Sequence, residues 1–592
     1  MNGHFRHRLP FGAELRGDGR TRFRVWAPSS RRADVVLDGG AHAMRGEGEG
    51  WHSVEIDAPP GTPYRFRFDD GVPVPDPASR AQRGGVAGAS VVVDPKSYGW
   101  RHPAWRGRPW REAVIYELHA GLMGGFTGVA RHLDRLASLG VTAIELMPVA
   151  EFPGTRNWGY DGVLPFAPAS SYGTPDELKA LVDAAHERGL MMLLDVVYNH
   201  FGPEGNHLAS YADPFFRDDI RTPWGRAIDF RREEVREYFI ENALYWIGEY
   251  RFDGLRLDAV HAIVPNDWLA DLARRLRDSV DPRRHVHLVV ENDANDAALL
   301  ERGFDAQWND DFHHAAHVLL TGERDSYYGD YAAAPAGELA RCLAEGFAWQ
   351  GRVSPHRGGA LRGTPSAHLP PTAFVSFLQN HDQVGNRALG ERLDALASAE
   401  AMRAARALLL LSPQVPLLWM GEEWGSRAPF HFFADFSGEL ADAVREGRRR
   451  EFRAFAAFAD ERARERIPDP NAIETFVASM PDFDAAETAM LAHTRRLLAI
   501  RHARIVPQLE GTSAIAANAV GEAAIVASWR LGDGSVLALF ANLATAPVSI
   551  DAPAGGEVLY ETRAGDASAL RTGLLGAHTL VAMLDGGEPD GR

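Results

Sequence analysis

Three acidic side chains, each following a short apolar run, could carry out nucleophilic and acid–base chemistry. Alternation along a strand puts Arg256 and Asp258 on one face, where the cation favours the ionised carboxylate that a nucleophile requires. Glu291 ends the apolar run 288–290, an environment that raises a carboxyl pKa toward general-acid function. Asp382 follows His381, and this third acid could bind sugar hydroxyls that move during a reaction.

Paired carboxylates of this kind suit glycoside hydrolysis. Their separation is about 5–5.5 Å in retaining enzymes and about 6.5–9.5 Å in inverting ones, which the sequence alone does not give. The alternative use is a divalent metal, for which the possible ligands are Asp195, Asn199, His200, Asp258 and Glu291. A structural calcium near Asn199 is a further possibility, but no HExxH or Cys/His zinc spacing occurs. We therefore expect no metal and no cofactor.

Composition limits the class of partner. The chain has 592 residues, 45% hydrophobic and 24% charged, which is typical of a globular protein with large cores. A net charge of −17 argues against nucleic acid, because phosphate binding requires clustered cations. No signal peptide and no apolar run long enough to span a membrane are expected. The single cysteine, Cys342, allows no intrachain disulfide and favours a cytoplasmic location.

The three acids fall within a region that predicts an α/β fold. From residue 111 to 504, short apolar strands alternate with helical segments such as 176–188, 233–250 and 267–279. Eight strands are predicted, at 113–119, 141–149, 190–199, 252–260, 286–292, 304–309, 374–382 and 416–422. Eight such units predict a (β/α)8 TIM barrel, whose catalytic groups lie at the carboxyl ends of the strands.

Two β-rich regions flank the predicted barrel. Residues 1–100 contain period-two runs at 22–27 and 64–68 between Gly- and Pro-rich turns, which predicts an N-terminal β-sandwich. Residues 505–592 predict a C-terminal antiparallel β domain, with strands at 523–531, 536–542, 548–551 and 558–562. Within the barrel, the long connection at about 200–231 predicts a subdomain, and the aromatic, Arg-rich segment at about 429–464 predicts a surface extension.

Four motifs at these strand ends resemble those of glycoside hydrolase family 13, the α-amylase family. They are DVVYNH at 195–200, GLRLDAVH at 254–261, VEND at 290–293 and FLQNHD at 377–382. The resemblance implies that Asp258 is the nucleophile, Glu291 the acid/base and Asp382 the stabiliser of the transition state. It also implies substrate contacts from Tyr160, Asp195, His200, Arg256, His261 and His381.

Further segments resemble the members of that family that act on maltooligosaccharides ending in trehalose. These segments include residues 75–82, 152–162, 201–206 and 307–314, whereas the loop at 120–126 is shorter than the family pattern. The resemblance implies a maltooligosyltrehalose substrate, cleaved at the α-1,4 bond next to its terminal trehalose. It also implies a functional partner, namely an enzyme that forms maltooligosyltrehalose.

Recognition of trehalose must come from groups on the leaving-group side of Glu291. The candidates are Trp224 in the long loop and Gln307, Trp308 and Asp310 at the end of the sixth strand. Two other functions stay open. One is a glucan branching or debranching enzyme with the same chemistry, and the other is a non-catalytic glycan-binding protein on the same fold. The N-terminal domain could bind glycan or only pack on the barrel.

Overall fold

The computed structural model describes residues 4–483, 488–553 and 555–586. It confirms the predicted fold class, with a closed barrel of eight strands between a β-sandwich and an antiparallel β domain. Neighbouring barrel strands are parallel, and the first closes the ring against the eighth. The barrel strands are Ile115–Leu118, Ala143–Leu146, Met191–Val196, Gly254–Leu257, His287–Val290, Ala306–Trp308, Phe374–Ser376 and Val415–Trp419.

The barrel interior changes from apolar to polar toward the carboxyl ends of the strands. Its apolar layer contains Ile115, Ala143, Leu193, Val289 and Leu417, all fully buried. Above it, the parallel register sets Glu117 level with Glu145 and Asp195 level with Arg256. Because side chains alternate along each strand, these polar groups share the interior of the barrel and lie side by side at the end where catalytic groups collect.

Helices cover the outside of the barrel. They are Gly125–Ala130, Leu133–Leu139, Pro175–Glu187, Glu233–Gly248, Asp267–Ser279, Asp310–Thr321, Pro335–Glu345, Leu393–Leu396, Ala399–Leu411 and Ala489–Ile500. The helix Pro175–Glu187 begins with a capping box between Thr174 and Glu177, which satisfies two free backbone N–H groups. Within the described ranges, no helix has the length and apolar character needed to cross a membrane.

Two connections between barrel strands carry hairpins. After the third strand, the predicted subdomain consists of a short helix, Leu208–Tyr211, and an antiparallel hairpin of Phe216–Thr222 and Gly225–Ile228. After the sixth strand, a second hairpin pairs Arg352–Ser354 with Ala360–Arg362. The sequence analysis did not predict the second hairpin, although Gly358 and Gly359 adopt the left-handed conformation at its turn. The extension after the eighth strand contains the helix Gly438–Glu451.

The N-terminal sandwich consists of two antiparallel sheets. One contains Gly12–Leu15, Thr21–Trp26, Trp51–Ile56 and Arg45–Gly48, and the other Gly40–Ala43, Ala33–Leu37, Pro63–Phe68, Ala89–Val91 and Gln82–Arg83. The alternation at Thr21–Trp26 and Pro63–Phe68 buries every second side chain, as the period-two pattern predicts.

The C-terminal domain is a five-stranded antiparallel sheet. In spatial order its strands are Ser513–Val520, Ala524–Arg530, Val536–Asn542, Thr579–Asp585 and Glu557–Glu561. The first and the fourth of these were not predicted from the sequence. The indole Nε1 of Trp529 donates a hydrogen bond of 3.1 Å to the Leu343 carbonyl, which fixes the sheet to the helix Pro335–Glu345.

A buried ionic cluster joins the sandwich to the barrel. Arg80 donates to Glu14 of the sandwich at 3.1 Å and to Glu249, after the helix Glu233–Gly248, at 2.6 Å. The Lys179 ammonium lies 3.2 Å from the other carboxylate oxygen of Glu249. The side chains of Arg80, Glu14 and Glu249 are at most 3% exposed, so removal of one partner leaves buried charges uncompensated.

We expect Arg80→Met to destabilise the protein by about 3–5 kcal/mol, because Glu14 and Glu249 lose their shared cation in a buried site. Thermal unfolding followed by calorimetry measures the change. The control is Arg283→Met, since the Arg283–Asp281 pair is exposed and such pairs contribute little to stability. Equal melting temperatures for the two variants would contradict a role for the cluster in holding the domains together.

Candidate active site

One buried arginine holds three acidic residues at the carboxyl end of the barrel. Arg256 Nη1 lies 2.9 and 2.8 Å from the two carboxylate oxygens of Asp195 and 2.8 Å from Oδ1 of Asp258. Its Nη2 lies 3.5 Å from Oε2 of Glu291. The guanidinium carbon also lies 4.2 Å from the ring centre of Trp308. Arg256 thus fixes the positions of acids from three different strand ends.

Asp258 and Glu291 are also fixed by amide donors. Asn199 Nδ2 donates to Oδ2 of Asp258 at 3.0 Å, so each oxygen of this carboxylate has a donor. Ala259 has a left-handed φ of 40°, and its backbone N–H donates to Oε2 of Glu291 at 2.7 Å. The side chains of Asp258 and Glu291 are 12% and 17% exposed, against 2% for Arg256. The carboxyl groups of Asp258 and Glu291 are therefore partly exposed, whereas the guanidinium that contacts them is buried.

The acids differ in how strongly they hold a proton. Burial raises the pKa of Glu291 well above its ordinary value; Arg256 opposes this shift, and neighbouring carboxylates reinforce it. Burial and the charge of Asp382 raise the pKa of Asp310 to about 7. Burial raises the pKa of Asp195 to about 6 despite the opposing charge of Arg256. The site therefore favours the protonated form of Glu291 more strongly than water does.

A chain of hydrogen bonds joins four strand ends. The Tyr160 hydroxyl donates to Oδ2 of Asp195 at 2.5 Å and lies 2.9 Å from Nε2 of His381. Glu117, on the first barrel strand, accepts from the backbone N–H of His381 at 3.1 Å and is bonded to its ring Nδ1. The chain ends at Arg256, which contacts Asp195 and Asp258.

Two cavities meet at the acids. The first, of about 390 Å³, is called the Asp258 cavity and is lined by Trp158, Tyr160, His200, Trp224, Arg256, Asp258, Ala259, His261, Glu291, His381, Asp382, Asn386 and Phe432. The second, of about 480 Å³, is called the Asp310 cavity and is lined by Glu291, Asp293, Asp310, His314, Tyr327, Asp330, Ser354, His356, Arg357, Arg362, Asp382, Gln383 and Asn386. Glu291, Asp382 and Asn386 line both.

The structure brings most of the residues expected from the sequence to these cavities. Nine lie around the Asp258 cavity, namely Tyr160, His200, Trp224, Arg256, Asp258, His261, Glu291, His381 and Asp382. Trp224 stacks on His200 with ring centres 4.6 Å apart, so it faces the Asp258 cavity and not the Asp310 cavity. Asp310 lines the second cavity, as expected for a group beyond Glu291.

Three expected substrate contacts lie below the cavities and not on their walls. Asp195 is buried, and it contacts Arg256 and Tyr160. Gln307 is fully buried, and its amide donates to the Asn292 carbonyl at 2.9 Å. Trp308 is 1% exposed beneath Arg256. Asp195, Gln307 and Trp308 line neither cavity, so the expectation that they contact substrate stays a prediction.

The second hairpin, which was not predicted from the sequence, forms a wall of the Asp310 cavity. Its residues His356, Arg357 and Arg362 line that cavity. Arg357 is paired with Asp293, and Arg362 lies 3.1 Å from Asp311, so the hairpin is tied to the ends of two strands. The Gly-Gly turn was a sequence signal for it. Glu117 gives no such signal, because it lies inside the predicted first strand, 113–119, and not at its end.

No group of three or more His, Cys, Asp and Glu side chains in the described part of the chain is arranged to hold a metal ion. Asn199, considered above as a calcium ligand, uses its amide nitrogen for Asp258 and its oxygen for Nδ1 of His200 at 2.6 Å.

Comparisons with known proteins support each domain. A model of the α-amylase catalytic domain matches residues 70–215, and a model of carbohydrate-binding module 48, the isoamylase N-terminal domain, matches residues 10–95. A model of a domain of unknown function, DUF3459, matches residues 513–581.

A malto-oligosyltrehalose trehalohydrolase from Deinococcus radiodurans is 41% identical over 82% of this chain and 80% of its own length. The chain belongs to the malto-oligosyltrehalose trehalohydrolase family. A second member, from Rhizobium sp. (strain M-11), is 38% identical over 90% of this chain and 93% of its own length. Among solved structures, a putative α-amylase from Salmonella typhimurium superposes with a TM-score of 0.92 at 44% identity, covering 98% of this chain and 100% of that one.

Proposed function

We propose that the chain hydrolyses the α-1,4 glucosidic bond next to the terminal trehalose of a maltooligosyltrehalose, releasing trehalose and a maltooligosaccharide. The name of the relatives supports the substrate. The observation that carries the reaction type is the contact of one guanidinium, that of Arg256, with both Asp258 and Glu291. Two carboxyl groups held together in this way suit a retaining glycosidase.

In the proposed mechanism, Asp258 attacks the anomeric carbon while Glu291 protonates the glycosidic oxygen, and trehalose leaves. The glycosyl–Asp258 ester is then cleaved by water, which gives its proton to the deprotonated Glu291. Donors on both oxygens support Asp258 as the carboxylate nucleophile, and the raised pKa of Glu291 supports its role as the acid. We assign Asp382, at the junction of both cavities, to binding sugar hydroxyls.

The two cavities indicate which way the substrate lies. A general acid that protonates the glycosidic oxygen must lie between the attacked sugar and the leaving group. Glu291 lines both cavities, whereas Asp258 lines only one. We therefore place the attacked glucose in the Asp258 cavity, beside Trp224, and the trehalose in the Asp310 cavity.

The walls of the Asp310 cavity supply the polar groups that trehalose recognition needs. Asp310, His314, His356 and Arg357 all lie there. A site built to hydrogen-bond a substrate rejects an analogue that leaves its polar groups unpaired.

The substrate implies a partner enzyme that forms maltooligosyltrehalose, and the buried thiol of Cys342 fits a reducing cytoplasm.

The deciding experiment is incubation with maltotriosyltrehalose and, separately, with maltopentaose, followed by chromatographic identification of the products. We expect trehalose and maltotriose from the first substrate, with kcat/KM more than about tenfold above that for maltopentaose. Longer or branched products would favour a branching enzyme, and similar rates on both substrates would favour a general amylolytic enzyme. The absence of any product would favour a glycan-binding protein.

We expect Asp258→Asn and Glu291→Gln each to lower kcat by at least about a thousandfold on maltotriosyltrehalose, because each removes a group that takes part in bond cleavage. Steady-state kinetics give the loss, and circular dichroism checks the fold. Glu301→Gln is the control, since Glu301 is exposed and pairs only with His368 at the surface. Near-full activity of Asp258→Asn would refute its role as nucleophile.

We expect a bell-shaped dependence of kcat/KM on pH, with an upper limb set by loss of the Glu291 proton. The raised pKa of Glu291 keeps the proton bound to a higher pH, so this limb lies well above the ordinary glutamate value of about 4.3. A substrate with a good leaving group tests the assignment, because Glu291→Ala should remove the limb for that substrate. Persistence of the limb in the variant would assign it to another acid.

We expect His356→Ala to narrow the preference for maltotriosyltrehalose over maltopentaose by about threefold to tenfold, the effect of one lost hydrogen bond. His356 is exposed on the hairpin, so the fold should tolerate the change. His368→Ala is the matched control, because His368 is exposed and lies outside both cavities.

Trp224→Ala tests the same proposed orientation from the other cavity. Trp224 lines the Asp258 cavity, so its loss should lower kcat/KM for both substrates by similar factors. If Trp224→Ala narrowed the preference and His356→Ala did not, the two cavities would have to exchange roles.

A further inference from the structure

Glu117 is a buried acid of the first barrel strand that lies behind the cavity walls and contacts His381 through both its oxygens. We propose that Glu117 is a positioning residue that holds His381 as an imidazolium, with one ring N–H directed to Glu117 and the other to Tyr160. The effect on rate rests on the function proposed above, but the charge state of His381 does not.

The hydrogen-bond donors and acceptors around His381 match only if its ring is an imidazolium. The single hydroxyl proton of Tyr160 goes to Asp195, whose oxygens also accept from Arg256. The Tyr160 oxygen, 2.9 Å from Nε2 of His381, must then accept a hydrogen bond from an N–H at that nitrogen. Nδ1 of His381 faces a carboxylate oxygen of Glu117, which also requires a donor. Both ring nitrogens therefore carry a proton.

Glu145 provides a contrast with Glu117 inside the same protein. The two residues are directly paired on neighbouring parallel strands and are both buried in the barrel interior. Neither carboxylate oxygen of Glu145 has a hydrogen-bond partner among the described residues. Burial, with the nearby charges of Glu117 and Asp195, raises the pKa of Glu145 well above its ordinary value. The surroundings of Glu145 thus favour its neutral form, and Glu117 is the one of the two that contacts His381.

Glu117 is the main group that favours a charged His381 ring. Burial lowers the pKa of His381, but the charge of Glu117 and its hydrogen bond outweigh burial and raise that pKa. The titratable and charged groups that face the pair from the packed elements are His119, Glu145, Tyr160, Asp195, Arg256, Asp258 and Asp382. Arg256 and His119 oppose a charged His381, and the neighbouring carboxylates favour it.

The charge on His381 matters for the acids of the site. Among the residues that line the Asp258 cavity, Arg256 is the only arginine or lysine. A charged His381 lowers the pKa values of Asp382 and Asp195, against the larger upward effect of burial. Loss of the Glu117 charge would neutralise His381, and both aspartates would then hold protons to a higher pH.

The test compares Glu117→Gln with the wild-type protein by NMR of ring-labelled histidine. The His381 resonance is assigned by its absence from His381→Asn. In the wild type we expect His381 to titrate with a pKa above the ordinary histidine value of about 6.5. In Glu117→Gln we expect that pKa to lie below the ordinary value. Glu145→Gln is the matched control, with the same substitution on the neighbouring strand, and should leave the titration of His381 unchanged.

Kinetics provide the second measurement. In Glu117→Gln we expect kcat for maltotriosyltrehalose to fall about tenfold to a hundredfold, the size of one lost hydrogen bond to a charged group, with little change in KM. The acidic limb of the pH profile should move to higher pH, because Asp382 and Asp195 lose a neighbouring cation. Glu117→Asp, which keeps the charge, should recover part of the rate.

Three results would overturn the proposal. They are a neutral His381 in the wild type at pH 7, an unchanged His381 titration in Glu117→Gln, or an equal effect of Glu145→Gln. If Glu117→Gln fails to fold, the wild-type and Glu117→Asp titrations decide the charge state. If the wild type shows no trehalohydrolase activity, the proposed function fails while the NMR titration still tests the role of Glu117.

Discussion

The site depends on a single guanidinium enclosed in the barrel. Arg256 is 2% exposed and contacts carboxylates from the third, fourth and fifth strand ends. Taking a cation out of water is costly unless several acceptors replace the lost hydration, and Asp195 and Asp258 provide such acceptors at 2.8–2.9 Å. Trp308 lies against the guanidinium face that these acceptors leave free. The contacts of Arg256 therefore join neighbouring barrel strands and also position the acids of the site.

Unequal contacts with this guanidinium give the two acids different properties. Asp258 accepts from Arg256 and from Asn199, which together stabilise its carboxylate. Glu291 lies farther from the guanidinium, at 3.5 Å, and has a backbone N–H donor and several acidic neighbours. Two carboxyl groups at adjacent strand ends thus have different surroundings, and only Glu291 is placed where burial and acidic neighbours raise its pKa.

The sequence predicts the barrel and its acids well because both follow from local patterns. Apolar runs ending in Asp258, Glu291 or Asp382 are visible without knowledge of the fold, and barrel geometry then brings these ends together. The sequence does not show that Trp308 packs against the Arg256 guanidinium inside the barrel, because that contact joins residues of two different strands. Glu117 and Glu145 look alike in sequence. Their different roles depend on which of them faces His381, a contact between residues 264 positions apart.

The second hairpin shows how selectivity can be added to this shared chemistry without altering it. The carboxylates are carried by barrel strands, whereas His356 and Arg357 are carried by a connection between strands, the part of the fold that tolerates change. A loop that moved freely would lose binding energy to ordering. Here Arg357 is paired with Asp293, two residues after Glu291, and Arg362 with Asp311, which follows Asp310. The hairpin is therefore anchored beside Glu291 and Asp310, and in the proposed orientation these ion pairs fix its position relative to the leaving group.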